Sequence, residues 1–110
     1  MAVPGWYIIY DENYGVLYVG VAEDLNKRLN TKDGTRDNFA NPKRLFDPER
    51  NFIKKFIVLG IIRPKVICIR EKDFLEISDI KTQRLSKLDR KNIEKFIRIF
   101  SSYILMKLMP

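Results

Sequence analysis

The sequence predicts a small α+β domain that begins with a β-hairpin. Two runs of aromatic and β-branched residues, 6–10 and 16–19, flank a turn rich in Asp, Asn and Gly, which is the pattern of a hairpin. A third strand-like run covers residues 65–70, between segments with helical periodicity. The length of 110 residues and the 45% hydrophobic content suit a single domain, residues 1–110, with a modest core.

The hairpin strands predict how their side chains are distributed between the two faces of the sheet. Because side chains alternate along a strand, Tyr18 is expected on the face opposite Leu17 and Val19. The chain contains no Lys or Arg before Lys27, so the hairpin is expected to be scaffold rather than a cationic surface.

Helices are predicted on either side of the third strand. The first covers residues 22–30, with Glu23 and Asp24 in its first turn, where carboxylates suit the helix dipole. The second covers residues 49–59 and ends at Gly60.

The C-terminal third is predicted to be largely helical. Residues 71–73 read as a turn, residues 74–80 are ambiguous, and a helical pattern runs from Lys81 onward. The apolar tail, residues 101–110, either packs this helix on the sheet or forms a partly exposed patch that makes a dimer. The expected apolar stripe comprises Leu85, Leu88, Ile93, Phe96, Ile97, Phe100 and Ile104.

Composition points to a polyanionic partner. Lys and Arg number 21 against 14 Asp and Glu, a net charge of +7, which favours nucleic acid; an anionic membrane surface is the alternative. No apolar run approaches the roughly 18 residues of a membrane span, and no signal-peptide pattern follows Met1. The single Cys68 is expected to be a buried thiol in a reducing, cytoplasmic setting.

The residue types present exclude several kinds of chemistry. The chain has no histidine, which removes His-based acid–base catalysis, His metal sites and Ser-His-Asp triads. One cysteine cannot build a thiolate zinc site. Any metal must therefore be a hard cation held by carboxylate and water, which means Mg²⁺ or Mn²⁺.

Five residues in the first thirty form a recognisable pattern: Gly5, Tyr7, Tyr18, Gly20 and Arg28. Their spacing resembles the core motif of the GIY-YIG endonucleases, and is most similar to the N-terminal nuclease domain of the bacterial nucleotide-excision-repair incision protein. The resemblance implies a small three-stranded antiparallel sheet flanked by three or more helices. It also implies hydrolysis or nicking of DNA with one divalent ion, Mg²⁺ or Mn²⁺.

The same resemblance implies roles for individual side chains. Tyr7 would take a proton from water, and Tyr18 would orient water or phosphate beside it. Arg28 would neutralise charge on the phosphoryl oxygens. Glu94, in a segment that resembles the third helix of the family, would hold the metal ion. Gly20 would allow backbone or substrate to approach closely at the strand end.

Substrate contacts are expected from cations outside the hairpin. Residues 31–48 form a polar segment that is long for so small a domain, which favours a binding role. A basic run lies between residues 81 and 98; its alternative is a solvated face. The residues expected to bind substrate in these two segments are Lys32, Arg36, Lys43, Arg44 and Lys91.

Other interpretations of the same residues stay open. Tyr7 and Tyr18 are also compatible with ordinary packing of aromatic side chains in strands. Arg28 is also compatible with a solvent-exposed position on a helix. Arg90 and Arg98 lie four residues to either side of Glu94, so surface ion pairs are the alternative to a metal ligand. Val21 stands where the repair relatives carry a lysine.

The sequence therefore leaves two functions open as alternatives to a nuclease. One is a non-catalytic module of the same fold that binds nucleic acid or protein. The other is a small oligomerising protein that uses its apolar tail. For a nuclease, either residues 31–48 and the basic last helix bind the substrate, or a homodimer or a protein partner supplies substrate specificity.

Overall fold

The structure is a computed structural model that describes residues 2–29, 51–81 and 84–108, with only the backbone of residues 51–54. It confirms the predicted α+β fold with a three-stranded antiparallel sheet. The strands are β1 (Gly5–Asp11), β2 (Gly15–Ala22) and β3 (Lys65–Arg70), in the order β2-β1-β3. The described helices are α1 (Leu25–Leu29), α2 (Asn51–Val58), α3 (Glu71–Ile77), α4 (Lys87–Ile99) and α5 (Ser101–Leu108).

The central strand β1 is buried along its whole length and runs antiparallel to both neighbours. Its aromatic and β-branched side chains cover both faces of a pleated sheet. In this register Tyr7 lies opposite Gly20 of β2 and Cys68 of β3. Cys68 is half-buried rather than fully buried.

A β-bulge in the hairpin changes the predicted alternation. The register passes from Ile9 opposite Tyr18 to Tyr10 opposite Val16, so that Leu17 is an inserted residue. Leu17 and Tyr18 both pack against one apolar cluster. The prediction that these two side chains lie on opposite faces was therefore wrong, because the bulge interrupts the two-residue period of the strand.

The two faces of the sheet support separate cores. On one face the buried side chains come from the sheet, from α1 and from the segment before β3: Tyr7, Ile9, Ala22, Leu25, Leu29, Ile62 and Val66. On the other face the buried side chains come from the hairpin and from α4: Trp6, Ile8, Val19 and Ile97. Helix α4 therefore lies on the face that does not carry the Tyr7 ring.

Helix α1 is shorter than predicted and begins at Leu25 instead of residue 22. Asp24 precedes the helix, and its Oδ1 accepts the backbone N–H groups of Asn26 (3.2 Å) and Val3 (3.3 Å). Placing Asp24 inside the first turn was wrong because its side chain satisfies backbone donors from just outside the helix. Leu25 and Leu29 are buried, as the i, i+4 spacing predicts.

The predicted turn at residues 71–73 is instead the start of α3. Glu71 and Asp73 fall in its first turn, where their negative charge suits the helix dipole. Arg70, which precedes the helix, binds Asp73 through its Nε at 2.7 Å. Gly60, with a φ of 75°, follows the described end of α2 as predicted.

Helix α4 begins at Lys87 rather than at Lys81. Ser86 caps it, its hydroxyl accepting the backbone N–H of Asp89 at 3.1 Å. The predicted apolar stripe is only partly correct. Ile97 is buried, but Leu88 and Phe96 are exposed, because the rotation per residue along the helix places neither on the same side of α4 as Ile97.

The tail shows both predicted features. Helix α5 packs on β2 and buries Leu105. It also leaves Tyr103, Met106 and Leu108 exposed. A dimer through this surface stays a prediction. Within the residues that the structure describes, no helix is long and apolar enough to cross a membrane.

Candidate active site

Two tyrosines meet on one face of the hairpin. The Tyr7 and Tyr18 rings lie 6.0 Å apart between centroids with an interplanar angle of 30°, and their hydroxyl groups are hydrogen-bonded. Tyr7 is 1% exposed, whereas Tyr18 is half-buried. Tyr18 pairs with Ile9, just as Gly20 pairs with Tyr7, so ordinary alternation along the two strands places Tyr18 on the same side as Tyr7.

Gly20 leaves the space in which the Tyr7 ring lies. The two residues are opposite each other in the sheet, and a Cβ built on Gly20 would overlap the Tyr7 ring and hydroxyl. The space is therefore filled by the phenol and not by substrate. Gly20 acts on the site through the position of Tyr7.

The Tyr7 hydroxyl is influenced electrostatically by the other candidate catalytic groups. Burial raises the pKa of Tyr7 far above its usual range, and the neighbouring Tyr18 raises it further. The Arg28 guanidinium lowers the pKa of Tyr7, and the Glu94 carboxylate raises it. Arg28 and Glu94 therefore both lie within electrostatic range of this hydroxyl, beside the Tyr18 ring that faces it. At neutral pH the Tyr7 hydroxyl carries its proton.

Arg28 is presented to solvent by the short helix α1. Leu25 and Leu29 hold that helix on the sheet, while Lys27 and Arg28, between them, are exposed. A guanidinium in this position offers a planar pair of donors to a phosphate.

Glu94 comes from α4, and its side chain is only 16% exposed. Its Oε1 accepts a hydrogen bond from Arg98 Nη2 at 2.6 Å. The same Arg98 nitrogen donates to the backbone oxygen of Val19 at 3.3 Å. The predicted ion pair with Arg98 is therefore present, and the carboxylate also lies within electrostatic range of Tyr7.

Arg90 is not a partner of Glu94, and expecting a surface pair there was wrong. Its Nε binds Glu71 Oε1 at 2.7 Å, and both side chains are 4% exposed. The backbone oxygen of Arg90 accepts the Trp6 indole N–H at 3.0 Å. These contacts fix α4 against β1 and α3, one helical turn before Glu94. No local pattern indicates this pair, because its partners are nineteen residues apart.

The residues present fit a hard divalent cation bound mainly by water and phosphate. Within the described residues there is no group of three or more acidic, His or Cys side chains that could hold a metal ion. Glu94 is a single, partly exposed carboxylate close to the phenol pair. Mg²⁺ commonly keeps several waters and takes one or two carboxylates together with substrate phosphate, which suits this arrangement.

A basic groove adjoins the site. It has a volume of about 810 Å³, and Arg28 and Lys91 are among its lining residues. The other four residues predicted to bind substrate, Lys32, Arg36, Lys43 and Arg44, lie outside the described residues. In the basic run between residues 81 and 98, Arg90 is buried and so does not belong to a solvated cationic face.

The three-stranded sheet thus carries two facing tyrosines, with a guanidinium and a carboxylate within electrostatic range of the Tyr7 hydroxyl. The family model of the GIY-YIG catalytic domain matches residues 3–76, about two thirds of the chain. The chain belongs to the GIY-YIG family, whose members are nucleases. It matches no curated protein and no solved structure significantly. The matched range includes Tyr7, Tyr18, Gly20 and Arg28 but ends before α4 and Glu94.

Proposed function

We propose that this chain is a divalent-metal-dependent endonuclease that hydrolyses or nicks DNA. The observation that carries the proposal is that Tyr18, Arg28 and Glu94 all lie within electrostatic range of the Tyr7 hydroxyl, with the Tyr18 ring centroid 6.0 Å from that of Tyr7. These groups come from β2, α1 and α4, so only the folded chain brings them together. Membership of a nuclease family supports hydrolysis of a phosphodiester as the reaction.

Arg28 is proposed to bind the scissile phosphate. It is exposed, lies at the edge of the basic groove and acts on the Tyr7 hydroxyl. Two parallel N–H donors of its guanidinium would hold two phosphoryl oxygens and stabilise the charge that grows on them.

Tyr7 and Tyr18 are proposed to position and deprotonate the attacking water. Tyr7 must lose its proton to act as a base, and burial opposes this by raising its pKa. Arg28 favours the deprotonated form, because its positive charge stabilises a phenolate. The hydrogen bond between the two hydroxyls holds the Tyr7 oxygen in a defined orientation.

Glu94 would hold the metal ion through its carboxylate. When bound, a divalent cation supplies positive charge to the phosphoryl and leaving oxygens. The anchored part of α4 around Arg90 keeps Glu94 near the hairpin. Mg²⁺ and Mn²⁺ are the proposed ions because both accept carboxylate and water oxygens.

A second candidate function is a non-catalytic DNA-binding module on the same fold. The high pKa of Tyr7 and the engagement of Glu94 by Arg98 favour it, since both lower the availability of a base and of a metal ligand. A specific relationship to the repair incision nuclease, a role in DNA repair or recombination, and a homodimer or protein partner remain further proposals. A reducing, cytoplasmic location is likewise proposed from the single cysteine.

Plasmid nicking tests the first function against the second. Supercoiled DNA is incubated with Mg²⁺, Mn²⁺ or EDTA and the parent chain, Arg28→Ala or Glu94→Gln. We expect metal-dependent nicking by the parent and a loss of about 10²-fold or more in each variant, as for other removed transition-state contacts.

Glu76→Gln is the matched control, because Glu76 is an exposed carboxylate on α3. It should leave the rate unchanged. Nicking by Glu94→Gln at the parental rate would reject Glu94 as the metal ligand. A parent that binds DNA in a salt-dependent way but never cuts it would support the non-catalytic module instead.

A further inference from the structure

We propose that the groove between α1 and the start of α4 binds the phosphate backbone of DNA beside the cut site, without reading the bases. This inference rests on the proposed function, since it places substrate next to Arg28. The inference adds a surface that binds phosphate to a candidate active site for which only the catalytic groups have been described.

The groove carries a strong excess of positive charge. Six of its lining side chains are cationic and two are acidic. The cationic residues are Lys27, Arg28, Arg84, Lys87, Arg90 and Lys91. Arg90 is buried against Glu71 and Lys87 is paired with Glu23, so the excess comes from the other four. Such an excess inside a concave surface attracts a polyanion and raises its local concentration.

The two acidic residues are already engaged within the chain. Glu23 binds Lys87 at 2.9 Å. Asp24 accepts backbone N–H groups from Val3 and Asn26. Neither carboxylate is therefore available to form an ion pair with Lys27 or Lys91 in the groove.

The groove is continuous with the candidate active site. Arg28 belongs both to the lining and to the groups that act on the Tyr7 hydroxyl. Lys91, on the opposite wall, precedes Glu94 by three residues on the same helix. A backbone lying in the groove would therefore lead directly to the Tyr7 hydroxyl and Glu94.

The lining chemistry favours phosphate contacts over base contacts. Among the residues that the structure describes, the lining contains no aromatic side chain on which a base could stack and no Asn or Gln to read an adenine edge. Its uncharged members are Ala2, Val21 and Ala22. Lysine ammonium groups bind phosphate as point charges, and contacts to phosphate carry no sequence information.

DNA is favoured over an anionic membrane as the source of the phosphate. The charge lies in a groove of about 810 Å³ that shares Arg28 with the candidate active site. The other lining residues offer small side chains, whereas membrane-surface binding requires aromatic or large apolar side chains beside the cations.

The salt dependence of DNA binding tests this surface. The dissociation constant of a labelled duplex is measured by fluorescence anisotropy in EDTA between about 50 and 200 mM salt. The proteins are the parent chain, Lys27→Ala and Lys91→Ala. In each variant, the plot of the logarithm of the association constant against the logarithm of the salt concentration should become less steep by about 0.9. The change should be the same for duplexes of different sequence.

Lys72→Ala is the matched control, because Lys72 is an exposed lysine on α3 outside the groove lining. It should keep the parental slope. Parental slopes in both groove variants, or a loss confined to one base sequence, would overturn the proposal. Binding of the parent to phosphatidylserine vesicles but not to the duplex would overturn it in favour of a membrane.

The outcome separates this surface from the proposed function. DNA binding with the expected slopes, together with no nicking by the parent, would leave the groove in place and remove the nuclease. The nuclease would stand and the groove would be rejected if metal-dependent nicking were lost in Arg28→Ala while Lys27→Ala and Lys91→Ala kept the parental slopes.

Discussion

The hairpin and helix α4 both contribute to the candidate active site, but they are held in place by different means. Strand β1 is buried at every residue and is hydrogen-bonded to a neighbour on each side. Helix α4 has thirteen residues and buries only Arg90 and Ile97. The position of Tyr7 thus follows from the sheet itself, whereas that of Glu94 depends on a few contacts made by α4.

Most of the polar contacts of α4 are made at two places along the helix. Near its start, the Trp6 indole and the Glu71 carboxylate bind Arg90. One turn after Glu94, Arg98 reaches the backbone oxygen of Val19. Glu94 lies between these two attachments, so they determine how close its carboxylate comes to the hairpin.

The largest effect on stability is expected from Glu71→Ala. This change leaves Arg90 buried without its counter-ion, and breaking such a pair from one side costs about 3–5 kcal/mol. Urea unfolding of the variant measures the loss. Among the described residues, Nη2 of Arg90 already finds no hydrogen-bond partner, so this nitrogen provides no contact that would compensate.

Glu12→Ala provides the comparison for this prediction. Glu12 binds Lys65, but both side chains are about half exposed, so the loss should stay below about 1 kcal/mol. Replacing Glu71 and Arg90 together by Leu and Met should restore most of the stability. Equal losses in Glu71→Ala and Glu12→Ala would show that the buried pair does not hold α4.

The strands could be predicted because their signals are local. The run of β-branched residues at 65–70 gives the bounds of β3 as observed. The hairpin strands were predicted too short by one to three residues at their ends. The bulge at Leu17 could not be predicted, since it depends on how β2 pairs with β1.

In the helices of the C-terminal third, local sequence patterns did not predict which side chains are buried. Arg90 sits in a basic run and so was expected at the surface or on DNA. It is buried because Glu71, brought near by the fold, supplies its counter-ion. Of the candidate site, the pairing of Tyr7 with Tyr18 is seen directly, and Arg28 and Glu94 lie within electrostatic range of Tyr7, while the catalytic roles of all four stay predictions.

A smaller loss of stability is expected from Gly20→Ala, which tests how closely the hairpin fits around Tyr7. The added methyl would overlap the Tyr7 ring and force it to move. Overpacking of this kind costs about 1–3 kcal/mol. Urea unfolding measures the loss, and plasmid nicking by the same variant should fall because the Tyr7 hydroxyl is displaced.

A double-mutant cycle with Tyr7→Ala identifies the cause. If the ring is what the methyl meets, Gly20→Ala should cost little in the Tyr7→Ala background. An undiminished cost there would mean that the Gly20 backbone, and not the Tyr7 ring, requires glycine.

The smallest effect concerns pH and returns to the buried hydroxyl of the hairpin. The pKa of Tyr7 is raised in the folded chain, so above about pH 10 the unfolded chain releases this proton while the folded chain keeps it. Stability should therefore be intact below pH 10 and fall by up to about 1.4 kcal/mol for each pH unit above it. Urea unfolding at pH 8 and pH 11 measures the fall.

Tyr7→Phe should remove this part of the pH dependence, whereas Tyr14→Phe should keep it. Tyr14 is 64% exposed, so its hydroxyl meets water in both states. The test compares the change between the two pH values and not the absolute stabilities, because Tyr7→Phe also removes the hydrogen bond to Tyr18. Equal pH dependence in both variants would show that the Tyr7 hydroxyl reaches solvent. A phenol that reaches solvent would deprotonate more readily, which would favour its proposed role as the base.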